Sequence, residues 1–147
     1  MSAPQAAATL DLQRMNDDVI AQFRSNAGTI VEGMFKDAPI LLLSTIGVRS
    51  GKIRVTPVAH TRDGARFVIV ASNGGGPRHP DWYHNVVANP VVTIEVGPER
   101  FKARASVADS AERERLFEAH AQLMPQFREY QRMTDRRIPV VVLERVE

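Results

Sequence analysis

Three strand-length apolar runs follow one another between Pro39 and Ser72, with only a few residues between each. Pro39 to Ile46 is apolar on both faces. Gly47-Val48-Arg49-Ser50-Gly51-Lys52 is a turn with two glycines. Ile53 to Thr61 alternates, with Ile53, Val55, Pro57 and Ala59 on one side and Arg54, Thr56, Val58 and His60 on the other. Arg62-Asp63-Gly64-Ala65 is a hairpin turn of the Asp-Gly type, and Arg66 to Ser72 pairs back. Links this short leave no room for the crossover that parallel neighbours need, so the segment is an antiparallel meander. Pro57 cannot donate to a ladder, which predicts a sheet edge or a bulge at that point.

The rest of the chain extends that sheet. Asp81 to Ala88 reads as a short helix stopped by Asn89-Pro90. Val91 to Val96 and Arg100 to Val107 form a second hairpin, with Phe101, Ala103, Ala105 and Val107 inward and Arg100, Lys102 and Arg104 outward. Asp109 with Glu112 is a capping box. The helix after it sets Leu116, His120, Leu123 and Phe127 on one stripe; Pro125 interrupts it, so Gln126 to Met133 is a separate short helix. Ile138 to Val146 is a last strand. Ahead of the sheet, Leu12, Met15, Val19, Ile20, Phe23, Ala27, Ile30, Val31 and Met34 follow helical spacing, broken only by Asn16. Gly28 and Gly33 weaken the second half of that helix, so a break or an early end is expected there. Residues 1–11 are expected to be flexible and 12–147 to form one domain. The architecture is α+β, a small, partly open and mostly antiparallel barrel with flanking helices.

Several function classes are disfavoured. The 147 residues include no cysteine, so neither a disulfide framework nor thiolate chemistry is available. No secretory signal and no membrane-length apolar run is seen, and a cytoplasmic location is expected. His60, His79, His84 and His120 fall in four elements without metal-site spacing. No Gly-x-Ser-x-Gly elbow and no Rossmann fingerprint is present. Few aromatics interleave with the basic residues, which disfavours nucleic acid. The polar face of the first helix mixes both charge signs, so peripheral membrane contact is not predicted.

The charge distribution and one loop point to a ligand. Net charge is +2, but Ala38 to Pro80 holds six basic residues and only one acid, Asp63. A basic middle in a near-neutral chain suits an anionic small ligand. Arg62 and Arg66 flank a turn and read as solvated surface. Arg49, Ser50, Lys52 and Arg54 could hold phosphate or carboxylate. The apolar run Phe67 to Ala71 enters Gly74-Gly75-Gly76, followed by Pro77, Pro80 and the aromatic helix start at Asp81. Such a strand, bare loop and aromatic helix can hold a flat ligand, with Thr56, Ser72, Trp82 and Asn85 framing a heterocycle. A site with anion-binding and stacking groups but no obvious nucleophile leaves the chemistry to a bound cofactor.

At these residues the sequence resembles the deazaflavin-dependent nitroreductase family of flavin/deazaflavin split-barrel oxidoreductases. The matching stretches are Leu42 to Gly51, Arg54 to Pro57, Val70 to Gly75, Pro80 to Asn85, Ala88 to Pro90, Tyr130-Gln131 and Thr134 to Val140. The resemblance implies a split β-barrel that binds coenzyme F420. It places Val48, Arg49, Ser50, Gly51, Lys52, Arg54, Thr56 and Pro57 toward the coenzyme, with Arg49, Ser50 and Arg54 at its phosphate and acidic tail. Val70, Ala71, Ser72 and Asn73, then Asp81, Trp82, Tyr83, His84 and Asn85, fall along the deazaflavin. Phe127 and Tyr130 fall over the substrate pocket, and Ser72 or Tyr130 would polarise the acceptor. Asn73 stands where nitroreductase members carry lysine, Val48 replaces a basic residue, and Met124 and Phe127 replace tyrosines.

The implied activity is an F420H2-dependent reduction of a small electron-poor acceptor: a quinone, an enone or a nitro compound. The lost phenols favour quinones and enones over nitroimidazoles. The alternatives are an FMN-dependent split-barrel oxidoreductase and a non-catalytic carrier. A homodimer is expected from the resemblance alone.

Overall fold

The computed structural model describes residues 3–146, with side chains from Gln13 onward. The first helix, α1, spans Ala3–Ser25; it starts ahead of Leu12 and ends before Gly28, at the early end that the two glycines predict. Its early start follows from an alanine-rich segment of high helix propensity. Its early stop is a Schellman cap: Ala27 takes a left-handed φ of 51° and the Gly28 N–H bonds the Phe23 carbonyl at 2.8 Å. A Cβ on Gly28 would meet the Gly97 Cα at 2.6 Å, so this position must be bare where α1 ends against a hairpin turn. The Leu12 side chain lies outside the described residues.

Six strands follow: β1 (Ile40–Ile46), β2 (Ile53–Asp63), β3 (Arg66–Val70), β4 (Val91–Val96), β5 (Glu99–Val107) and β6 (Val140–Arg145). They close into an antiparallel barrel in the order β1-β2-β3-β6-β5-β4. The β1–β4 seam holds only three residue pairs, Leu42 to Ser44 against Thr93 to Glu95. The first half of β2, Ile53 to Ala59, pairs with β1 alone, and only His60 to Asp63 pair with β3. The wall is therefore split along half of β2. Pro57 falls in this one-sided half, where a missing donor is tolerated. The expected antiparallel split barrel is thus present, closed by a short seam and opened along β2.

Strand alternation sorts the side chains into layers. Leu41, Leu43, Phe67, Ile69, Val92, Ile94, Ala103, Ala105, Val141 and Leu143 fill the barrel. Helix α2 (Asp81–Ala88) inserts Trp82 and Val86 into that interior. Val68, Val70, Val140 and Val142 point outward beneath α3 (Ser110–Leu123) and α4 (Gln126–Arg132). On the other side, Val19 and Phe23 of α1 cover Ile40 and Leu42 together with Ile30. The capping box forms as read, the Asp109 carboxylate accepting the Glu112 N–H at 3.0 Å. Arg62 stacks over Phe67, and Arg66 pairs with Asp63 and Glu112, so both keep the surface role read for them. Among the described residues no helix is long and apolar enough to cross a membrane.

Candidate active site

The β1–β2 turn is self-braced. Gly47 N–H bonds the Lys52 carbonyl at 2.8 Å, Gly51 N–H bonds the Gly47 carbonyl at 2.9 Å, and the Ser50 hydroxyl accepts the Lys52 N–H at 3.1 Å. A Cβ at position 47 would meet Ser50 Oγ at 2.6 Å and push the hydroxyl off its bond to Lys52 N–H. The turn is also tied to α2. Buried Asn85 accepts the Val48 N–H at 3.1 Å and donates to Thr45 Oγ1 at 3.0 Å. Asn85 therefore fixes the height of the turn over the barrel mouth. The N–H groups of Arg49 and Ser50 have no protein acceptor among the described residues.

A cleft of about 1250 Å³ opens between this turn, α2 and α1. Val48, Arg49, Ser50, Arg54, Thr56, Asp81, Trp82, His84 and Asn85 all line it. Nine residues singled out in the sequence, from three segments, thus come together. Arg49, Arg54 and Arg78 around it take part in none of the ion pairs among the described residues. Lys52 is likewise without one, whereas Arg66, Arg115 and Arg137 elsewhere are paired. Unpaired guanidiniums and free turn N–H groups beside a polar cleft form an anion-binding arrangement.

Other expected residues lie off the cleft lining. Gly51 and Lys52 complete the turn, and Pro57 is on the strand face opposite Thr56. Val70 is packed beneath α3 and α4, and Ala71 is inside the barrel, so both side chains are committed to the core. Ser72 is buried, and Asn73 holds a left-handed turn with φ 47°, its amide donating to the Arg78 carbonyl at 3.1 Å. Phe127 is a core residue, edge-on to His120 at 4.4 Å and to Tyr130 at 5.3 Å. Tyr83 packs on His79 at 4.7 Å beside a second hollow of about 270 Å³. The aromatic positions on α4 are spaced for the core stripe, and sequence spacing could not tell that use from a substrate pocket.

What sequence reasoning missed is how the glycine loop is held. Arg136 donates to the carbonyls of Ser72 at 2.7 Å, Gly76 at 3.0 Å and Ala71 at 3.2 Å. It also meets His79 Nδ1 at 2.8 Å; a guanidinium has no acceptor, so Nδ1 accepts and the His79 proton sits on Nε2. Burial, then the Arg136 charge, lowers the His79 pKa. A Cβ on Gly75 would press on Met133 and on the Tyr130 backbone at 3.0–3.1 Å, so the loop lies flat on α4. His79, Tyr83 and His84 form a ring cluster with centroids 4.7–5.8 Å apart, linking this loop to the cleft. Three more lining groups went unread: Arg78; Gly47 with Ile53 and Val55; and the α1 stripe Gln13, Asn16, Asp17, Ile20 and Arg24. The polar Asn16 inside an apolar stripe was the available signal for the third.

The sequence pattern of a family described as F420H(2)-dependent quinone reductase matches residues 14–145. An F420H(2)-dependent quinone reductase of Mycobacterium tuberculosis is 39% identical over 139 residues, covering 92% of this chain and 91% of the relative. Among solved structures, an F420-H2 dependent reductase superposes with a TM-score of 0.67 at 39% identity, covering 72% of this chain and 94% of that one. A second, a domain-swapped dimer, gives 0.68 at 33% identity, covering 97% of this chain and 100% of that one.

Proposed function

The chain belongs to the F420H(2)-dependent quinone reductase family, and from that premise we propose that its cleft between the β1–β2 turn and α2 is the coenzyme site and that its acceptor is a quinone. The protein is an F420H2-dependent oxidoreductase with coenzyme F420 as its cofactor. When bound, reduced F420 supplies a hydride to an electron-poor acceptor.

The observation that carries the site is the set of unpaired cations, Arg49, Arg54 and Arg78, on the rim of one large cleft. The residues fit the coenzyme. A volume of about 1250 Å³ exceeds the ~300–1,000 Å³ of ordinary small-ligand sites and suits a long molecule. Arg49 and Arg54, with the free turn N–H groups, would hold the phosphate and acidic tail. Trp82 and Thr56, on the barrel-mouth side, would border the ring. Asn85 acts through Val48, keeping the turn in place.

Arg54→Ala is expected to weaken F420 binding by ~1.5–3 kcal/mol, the range for hydrogen bonds to charged groups. The loss should shrink as salt is raised, because the lost term is partly screened. Isothermal titration at two salt concentrations measures it, and an unchanged affinity would place the tail elsewhere.

The quinone assignment rests on the family. Met124 and Phe127 are committed to the core, so Tyr130, half-buried on α4, is the phenol left to act on an acceptor. F420H2 oxidation should be faster with quinones than with bicyclic nitroimidazoles. Tyr130→Phe should slow the quinone reaction up to about tenfold, a single hydrogen bond's worth, with coenzyme affinity unchanged. A Tyr130→Phe enzyme as fast as the parent would remove Tyr130 from the reaction. Ser72, buried with its carbonyl held by Arg136, is assigned a loop-shaping part and not an acceptor-polarising one. A homodimer completes this reading, supported by the domain-swapped relative, and sedimentation equilibrium tests it.

A further inference from the structure

One face of α1 is built for a ligand, and its other polar face is not. Gln13, Asn16, Asp17, Ile20 and Arg24 recur at helical spacing and all line the coenzyme cleft. Asp18 and Gln22, on the other face, are already committed: the Gln22 amide donates to Asp18 at 2.8 Å, and its carbonyl accepts Val31 N–H at 2.9 Å and Glu32 N–H at 3.0 Å. Gln13 and Asp17 are exposed and Asn16 is half-buried, and none of the three has a hydrogen-bond or ion-pair partner among the described residues. Arg24 makes a two-pronged pair with Glu95 at 2.9 and 3.1 Å, and Val19 and Phe23 are buried beneath it. Those contacts fix the rotation of the helix, so the polar stripe stays turned to the cleft.

The chemistry of the stripe selects what it can hold. A carboxylate accepts hydrogen bonds only and repels an anion, while an amide both donates and accepts. Asp17 therefore does not suit the phosphate and acidic tail that Arg49 and Arg54 suit. An apolar acceptor would leave all three groups unsatisfied. A chain of neutral hydroxyls can donate to Asp17 and exchange bonds with Asn16 and Gln13. Coenzyme F420 carries such a chain between its ring and its phosphate. We propose that Asn16 and Asp17, with Gln13, bind the hydroxylated chain of F420, making α1 a coenzyme-binding wall. This rests on the cleft being the coenzyme site.

The test uses the full chain and two ligands, F420 and 8-hydroxy-5-deazariboflavin, which keeps the ring and hydroxylated chain and lacks the phosphate tail. Binding is read by ligand fluorescence, without turnover. Asn16→Ala/Asp17→Ala should raise the Kd for both ligands by about 5- to 30-fold, the loss of one to two ordinary hydrogen bonds, with little salt dependence. Asp17→Asn, which keeps shape and one acceptor, should cost less for both. Arg54→Ala should raise the Kd for F420 alone. If the α1 variants bind both ligands like the parent while Arg54→Ala loses F420, the proposal fails and the cleft assignment stands. If Arg54→Ala also binds normally, the cleft assignment fails. Tighter F420 binding by the α1 variants, with the tail-less ligand unaffected, would put the acidic tail against α1 and overturn the proposal.

Discussion

Arg113→Met is expected to lower stability by about 3–5 kcal/mol, the largest effect of any single substitution considered for this chain. The Arg113 side chain is buried on α3 and lies 4.3 Å over the Phe117 ring. It donates twice to the Ile138 carbonyl, at 2.9 and 3.0 Å, and once to Gln131 Oε1 at 2.7 Å. Methionine fills much of the volume but leaves the buried Ile138 carbonyl without its donor, takes one of two donors from half-buried Gln131 Oε1, and loses the stacked cation; hydrogen bonds from a charged group are worth ~1.5–3 kcal/mol each. The damage should spread. Gln131 Oε1 also accepts the Ile138 N–H at 3.0 Å, and Gln131 Nε2 bonds the Arg136 carbonyl at 2.8 Å. Arg113 thus orders the segment that presents Arg136 to the glycine loop. Urea unfolding should show the shifted midpoint, and amide exchange should quicken at Ser72 to Gly76. Glu114→Gln is the control. Glu114 is the ion-pair partner of Arg113 but is 60% exposed, so its loss should cost less than about 1 kcal/mol. An Arg113→Met protein with the parent's midpoint would show that the network carries no stability.

The second large effect is a fall in stability below neutral pH centred on His120. Its ring is fully buried, Nδ1 meets Thr61 Oγ1 at 2.9 Å, and Nε2 has no partner among the described residues. Burial, then the neighbouring His60, pushes its pKa down to about 4 from the usual 6.5. The sign follows from which state takes the proton. Above pH 6.5 neither state protonates this ring and the folded form is favoured in full. Between pH 6.5 and 4 the unfolded chain takes a proton that the folded chain refuses, so stability falls as pH falls. Over that window the loss is about 3 kcal/mol. His60, also lowered by burial first, adds to the same slope. His120→Leu should flatten it, read as urea midpoints at pH 7, 6, 5 and 4.5. A slope unchanged in His120→Leu would assign the acid sensitivity to other groups. Asp63, held well below the usual carboxylate range by Arg115 and then Arg66, does not titrate in this window.

The element order, the α2 limits and the cationic turn were legible in the sequence because they depend on local rules. A short Gly-flanked turn joins strands only one way, and Asp81 to Ala88 is bounded by Pro80 and by Asn89-Pro90. Strand alternation at Arg54 and Thr56 also survives folding, because period two is a property of the backbone. What the local rules could not decide was the partner of each exposed or buried group. Whether Asn85 touches ligand or props up Val48, and whether Phe127 faces substrate or His120, depends on contacts 7 to 40 residues away in sequence. The same limit hid Arg136, whose carbonyl acceptors are 60 to 65 residues distant. Gly28 signalled the end of α1, but not that Ala27 shares the left-handed turn or that the stop packs against the Gly97 turn. Propensity and periodicity are summed over neighbours along the chain, whereas a hydrogen-bond partner is chosen across space. The sequence by itself therefore determined the barrel and its cationic rim. Only the tertiary structure decided which residues line the cleft and which hold its walls in place.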